Sequence, residues 1–178
     1  MNLKLNIQPY QLRLKHPFTT SRYTVNIQKT VIISISDSTF IGYGEVTTNP
    51  YYKSTIEKIE SSINIVKEIV ENGLGLEPIK LWEQLEPILR SDYFTLCAIG
   101  WAYWDLYAKQ NNKPLRSVWS KFNDYTPLTN YTIGIDSISK MKAKIIETPW
   151  PIYKIKLGTS EDVKIIKALR SVTDAVFR

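Results

Sequence analysis

The chain has 178 residues, 43% of them hydrophobic and 22% charged, a globular balance that excludes intrinsic disorder and leaves room for one domain and the start of another. Its net charge of +6 comes from scattered side chains such as Lys4, Arg13, Lys15, Arg22 and Lys29. No basic run and no RNP, zinc-knuckle or GxxG motif accompanies them, so the excess reads as a solvated surface and not as an RNA or DNA interface.

Cys97 is the only cysteine and His16 the only histidine, so an intrachain disulfide and any site needing two histidines are excluded within this chain. The opening residues Leu3, Leu5 and Ile7 alternate with polar ones, unlike the continuous apolar core of a signal peptide. No apolar run approaches a membrane span. A soluble, cytoplasmic protein is the expectation. Leu12 and Leu14 continue the alternation after Pro9. Val31 to Ile35 and Ile41 to Val46 flank the turn Asp37-Ser38, which predicts a hairpin within a small antiparallel sheet.

Helices follow. Ser54-Thr55-Ile56-Glu57 has the form of a capping box, in which serine and glutamate each satisfy an orphan backbone N–H. Ile56, Ile59, Ile63, Val66 and Val70 then recur at helical spacing up to a stop at Asn72-Gly73. Pro78 opens a second amphipathic helix carrying Leu81, Leu85 and Ile88. From Tyr93 to Tyr107 the chain is apolar nearly all round, which predicts a buried helix with Cys97 as a small buried hydrophobe. Gly100 and Ala102 would permit close packing there, and Asp105 would need a hydrogen-bonding partner.

The pattern next changes to strands alternating with helices. Tyr131 to Ile135 reads as a strand, Ile138, Met141 and Ile145 as a helix face, and Ile152 to Leu157 as a second strand. Val163, Ile166 and Leu169 mark the buried stripe of a helix over 162–172, and Ala175-Val176-Phe177 opens a third strand. Such alternation implies βαβ units and a parallel sheet. The chain therefore divides into an α+β domain over 1–125 and the beginning of an α/β domain over 126–178.

Tyr153-Lys154-Ile155-Lys156-Leu157-Gly158 is the segment richest in chemistry. Residues two apart in a strand share a face, so Lys154 and Lys156 stand together opposite Tyr153, Ile155 and Leu157. An inner parallel strand is covered on both sides, which makes two lysines on one face costly unless they line a polar site. Like charge and partial desolvation both favour the neutral amine, the form a lysine general base requires. Spacing alone favours an exposed strand edge, since K-x-K is a common tripeptide.

Context points the other way. Thr132-Ile133-Gly134-Ile135, a helix, and then the K-x-K strand resembles the first two barrel strands of the muconate-lactonizing subgroup of the enolase superfamily. His16-Pro17-Phe18 with Thr20 is similar to the opening of its mobile capping loop. Gly42-Tyr43-Gly44-Glu45 resembles its Gly-aromatic-Gly-Glu segment. Ala102 to Lys109, with Lys113-Pro114-Leu115, looks like the last helix of its capping domain and the exit from it.

The resemblance implies an α+β capping domain of antiparallel sheet and helices, followed by the first strands and helices of a (β/α) TIM-type barrel, incomplete here. It also implies dipeptide epimerase activity, in which Mg²⁺ holds the substrate carboxylate and stabilises the enediolate while lysines face the two sides of the α-carbon. By position Lys156 matches the catalytic base, Lys154 its neighbour, and Thr132 a substrate-contacting site. Phe18, Arg22 and Tyr23 in the capping loop match substrate-binding positions. In epimerases acting on alanyl-glutamate, a loop arginine recognises the glutamate. Here Arg22 falls one place early and Tyr23 stands where the arginine is expected, which leaves that specificity open. Tyr51 and Tyr52 either line a specificity pocket or simply pack.

The family's metal carboxylates and second lysine belong to later strands, so no metal ligand is expected in this chain, which would be an N-terminal part inactive by itself. The expected partner is a small dipeptide, with no nucleic acid and no membrane, and a homo-oligomer is compatible with the reading. The alternatives are o-succinylbenzoate synthase or muconate cycloisomerase on the same scaffold, or a non-enzymatic binding module made of the capping fold.

Overall fold

Pro9 and Pro17 do not interrupt the first strand. In the computed structural model, which describes residues 2–119 and 126–178, β1 runs unbroken over Lys4–Thr19. It is the edge strand of a three-stranded sheet of order β1-β2-β3, a place where a residue without an N–H is tolerated. β2 (Thr24–Ser36) and β3 (Ile41–Thr47) pair antiparallel, with Ile33 opposite Gly44 and Ile35 opposite Gly42. Between them the Asp37 carboxylate accepts the amides of Thr39 and Phe40, both at 2.6 Å, and so closes the expected turn.

The chain forms two compact units, one of Met1–Leu12 and Gln28–Asn123, the other of Arg13–Ile27 and Asp124–Arg178. The expected domain boundary at residue 125 lies outside the described residues.

In the first unit α1 (Ile56–Glu71), α2 (Pro78–Leu89), α3 (Tyr93–Gln110) and the short α4 (Leu115–Trp119) accompany the sheet. Val31, Ile33 and Ile35 meet Ile59, Ile63, Val66 and Val70 in its core. The helix cap is Thr55, whose hydroxyl accepts the Lys58 amide at 3.2 Å. Ser54 does not cap, because its backbone is held in a bridge with Asn49 and its hydroxyl donates to the Thr47 carbonyl. In α2 the buried face carries Leu81, Leu85 and Leu89, with Ile88 turned outward.

α3 is buried on one side only. Leu96, Ile99, Ala102 and Leu106 are covered, but Tyr93 and Trp101 are about half exposed (51% and 45%), and Cys97 is exposed rather than buried. Uniform hydrophobicity hid which face would be covered. The covered face is the one that meets β3. A Cβ on Gly42 would stand 2.1 Å from the Ala102 carbonyl oxygen, and one on Gly44 2.0 Å from that of Ala98. The two glycines let strand and helix backbones touch. Beside them Asp105 accepts the Tyr43 amide at 2.9 Å and pairs with Lys109 at 2.7 Å, so its carboxylate has its partners.

The second unit contains β4 (Tyr131–Ile133), α5 (Ile138–Glu147), β5 (Ile152–Ile155), α6 (Asp162–Arg170) and β6 (Val176–Phe177). Its three strands are parallel, in the order β4-β5-β6. Ile133, Tyr153 and Ile155 pack on Met141, Ile145, Ile165 and Leu169 of the two helices. On α6 the buried positions are thus Ile165 and Leu169, with Val163 70% exposed. The helix begins at Asp162 as expected, but Leu169 shares its buried face with Ile165 and not with Val163.

Candidate active site

Parallel pairing places the side chains. Tyr131 stands opposite Tyr153, Thr132 opposite Lys154 and Ile133 opposite Ile155. Tyr153 and Ile155 turn toward the helices and are buried, which sends Lys154 and Lys156 to the other face. Tyr153 is fixed from below. Its hydroxyl accepts the Trp150 amide and donates to the Thr148 carbonyl, both at 2.8 Å. Lys156 lies just beyond β5, where its amide donates to the Ile133 carbonyl at 2.9 Å. Lys154 is exposed, and Lys156 and Thr132 are half-buried.

The third strand adds a residue that sequence reading missed. The Ile155 amide donates to the Arg178 carbonyl at 2.8 Å, and the Arg178 amide to the Tyr153 carbonyl at 2.9 Å. In a parallel ladder this pair of bonds sets Arg178 beside Lys154. Thr132, Lys154 and Arg178 therefore stand abreast on three strands, with Lys156 one step further along. The available signal was the period of two that puts Arg178 on the face of Val176 and not of Phe177. A hydroxyl flanked by this cationic row suits an anionic ligand such as a carboxylate, and an amine beside it can exchange a proton with that ligand.

The turn between the neighbouring strands β1 and β2 forms a hairpin tip over 18–23, which belongs to the same unit. The Phe18 ring centroid lies 5.8 Å from Lys156 Nζ. The Thr20 hydroxyl accepts the amides of Arg22 at 3.2 Å and Tyr23 at 3.3 Å, shaping the turn. Arg22 is exposed and Tyr23 half-buried. Lys15 and His16 both reach Glu147 at the end of α5, His16 Nε2 at 3.1 Å. Lys15 first, through its hydrogen bond and charge, and then His16 hold the Glu147 carboxyl below its usual range.

Tyr51 lies in the other unit. Its ring meets that of Tyr52 edge-on at 4.8 Å, and Tyr52 in turn approaches Phe94 at 5.4 Å. The Asn49 carboxamide oxygen accepts the Tyr51 amide at 3.1 Å and holds this loop.

Beyond Lys156 the Asp162 carboxylate accepts the amides of Gly158 and Thr159, each at 2.9 Å. The Thr159 backbone bond, followed by its hydroxyl and the Gly158 amide, keeps the Asp162 carboxyl below the usual aspartate range. Among the described residues no group of three or more His, Cys, Asp or Glu side chains is placed to hold a metal ion. No helix among them is long and apolar enough to cross a membrane.

Residues 4–118 match the N-terminal domain of the mandelate racemase / muconate lactonizing enzyme family. The chain is 44% identical over 176 residues, 99% of its length and 52% of the relative's, to the L-Ala-D/L-amino acid epimerase of Flavobacterium johnsoniae. It is 33% identical to the L-Ala-D/L-Glu epimerase of Bacteroides thetaiotaomicron, covering 97% of this chain and 45% of that one. It also superposes on a dipeptide epimerase from Cytophaga hutchinsonii complexed with Mg and the dipeptide D-Ala-L-Val, with a TM-score of 0.84 at 23% identity, over 99% of this chain and 50% of the other. The chain thus spans about half the length of the relatives it matches.

Proposed function

We propose that this chain, which belongs to the mandelate racemase / muconate lactonizing enzyme family, corresponds to the N-terminal half of a dipeptide epimerase that moves a proton at the α-carbon of one residue of a dipeptide. Residues 1–125 serve as the capping domain in this reading, and 126–178 as the first strands and helices of a (β/α) barrel. The reading is supported most by the 44% identity to an L-Ala-D/L-amino acid epimerase along nearly the whole chain.

Lys156 acts as the base on one side of the α-carbon. Lys154 stands beside it on the same face of the strand. Thr132, opposite Lys154 in register, contacts the substrate. Phe18, Arg22 and Tyr23 at the hairpin tip bind the dipeptide side chain. The cofactor is Mg²⁺, as in the Cytophaga enzyme. When bound it supplies charge stabilisation for a carboxylate substrate. The described residues of this chain do not offer its ligands. The reading carries with it a cytoplasmic location and is compatible with a homo-oligomer.

The test is deuterium incorporation from D₂O at the α-carbons of L-Ala-L-Xaa dipeptides, using the protein with a complete barrel and Mg²⁺. Exchange at one α-carbon with inversion supports the reading. No exchange on any dipeptide of a broad panel, alongside turnover of an o-succinylbenzoate precursor, would replace it with the synthase.

A further inference from the structure

The hairpin tip meets the ends of β4 and β5 at two positions that lack a side chain. A Cβ on Gly134 would lie 3.0 Å from the backbone nitrogen of Thr19 and 3.2 Å from its oxygen. Both are main-chain atoms, so neither can rotate away. One residue on, the Ile135 amide donates to the same Thr19 carbonyl at 3.0 Å. At Gly158 a Cβ would fall 2.6 Å from that of Ser21. Phe18 immediately precedes Thr19, and its ring lies over Lys156 Nζ at 5.8 Å, within the range of a cation–π contact.

The geometry points to Gly134 as a positioning residue: its missing Cβ lets Thr19 close on the end of β4, and that seat holds the Phe18 ring over the Lys156 amine. The two glycines differ in kind. Gly158 has a φ of +131, so any side chain there is strained whatever the space. Gly134 is not among the glycines of positive φ, so a substitution there acts through space alone. The ring fills one side of the amine and restricts where Nζ can sit. The catalytic consequence of that contact rests on the epimerase reading above. If Lys156 is the base, a displaced Phe18 loosens the aim of the amine at the α-carbon, and a displacement near 1 Å costs on the order of 100-fold in rate.

The experiment has two arms. In the first, lysines of the chain are ¹³C-dimethylated, which keeps their charge, and the Lys156 signal is identified by its loss in Lys156→Arg. The ring current of Phe18 should displace that signal upfield of the other lysines. Phe18→Leu should return it to the common position, and Phe18→Tyr should preserve it. Gly134→Val should act like Phe18→Leu, and the smaller Gly134→Ala should give a partial return. Thr19→Ala, which leaves the contacting backbone atoms in place, should change little. A Lys156 signal unmoved by Gly134→Ala and by Gly134→Val would overturn the proposal. Should the valine variant not fold, the alanine variant decides.

In the second arm, the complete epimerase should lose kcat in Gly134→Val with much less change in KM, and Phe18→Tyr should recover most of what Phe18→Leu loses. Expected displacements in an enzyme that exchanges no dipeptide α-proton would sink the epimerase reading alone. An active wild type with no ring-current displacement at Lys156 would sink this inference alone.

Discussion

Thr132 on β4 and Lys154 on β5 are direct partners in a parallel register, so a hydroxyl and an ammonium group share one face of the sheet. The bonds between Arg178 and its neighbours at residues 153 and 155 extend that row to a third strand. Lys156 follows Lys154 on the same face, half-buried and under the Phe18 ring.

In the protein with a complete barrel, Lys156→Ala should lower α-proton exchange of one epimer by roughly 10²- to 10⁴-fold, the usual contribution of a positioned acid–base group. The opposite epimer should still exchange in D₂O. Lys154→Ala should give a smaller loss on the same side. Wild-type exchange of both epimers in Lys156→Ala would remove the lysine from its assigned role.

The structural glycines of β3 should be intolerant. Gly44→Ala puts a methyl group where the Ala98 carbonyl oxygen is only 2.0 Å away, and overpacking of this sort costs about 1–3 kcal/mol or more. Urea unfolding of the variant should show a lower midpoint at an unchanged slope. An unaltered midpoint would mean that α3 can withdraw from β3 at no cost.

Asp92 caps α3 from a buried position (3% exposed), accepting the Ser62 hydroxyl at 2.7 Å and the Thr95 hydroxyl at 2.6 Å. Asp92→Ala removes the cap and strands two buried hydroxyls, a loss of about 2–4 kcal/mol when a cap and an unsatisfied polar group are combined. Asp92→Asn should recover part of it. Equal stability of the alanine variant and wild type, read by thermal unfolding, would contradict the burial of this cluster.

The Asp162 carboxyl titrates below its ordinary range because Thr159 and Gly158 donate to it. Its folded value lies below its unfolded value of about 3.9. The contribution is therefore present above about pH 4 and is lost as pH falls through the folded value. The amide proton resonances of Gly158 and Thr159 should stay constant from neutrality to about pH 4 and move together below it. Movement centred above the ordinary aspartate range would reverse the sign of the shift.

Local pattern carried much of the fold. Ile59, Ile63, Val66 and Val70 announce α1 because a single face of that helix is apolar and all four are buried. Val31, Ile33 and Ile35 announce a strand for the corresponding reason at period two. The same reasoning fails where apolarity is uniform. In the run from Tyr93 to Tyr107 apolarity alone does not distinguish the face that meets Gly42 and Gly44, marked only by the small Ala98 and Ala102, from the one that leaves Cys97 and Trp101 exposed. That choice is made by the small residues of another element.

The candidate site divides in the same way. The common face of Lys154 and Lys156 follows from strand geometry, and their opposite neighbours Tyr153 and Ile155 are buried accordingly. The approach of Phe18 to Lys156 and the bond from Ile135 to Thr19 join residues more than a hundred positions apart. The family resemblance marks residues 16–23 as a capping loop, but no periodicity in them tells which atoms they meet, so these contacts are a property of the folded chain.

The unit that holds Lys156 is discontinuous in sequence: it consists of Arg13–Ile27 together with Asp124–Arg178. A recombination event with one crossover between residues 119 and 126 would transplant the lysine strand without Phe18, Thr19 and Ser21, the residues that rest on it. Two lineages exchanging barrels in this way would each inherit a hairpin tip shaped for the other's Gly134 and Gly158. Tip and strand ends must therefore be inherited, shuffled or redesigned together.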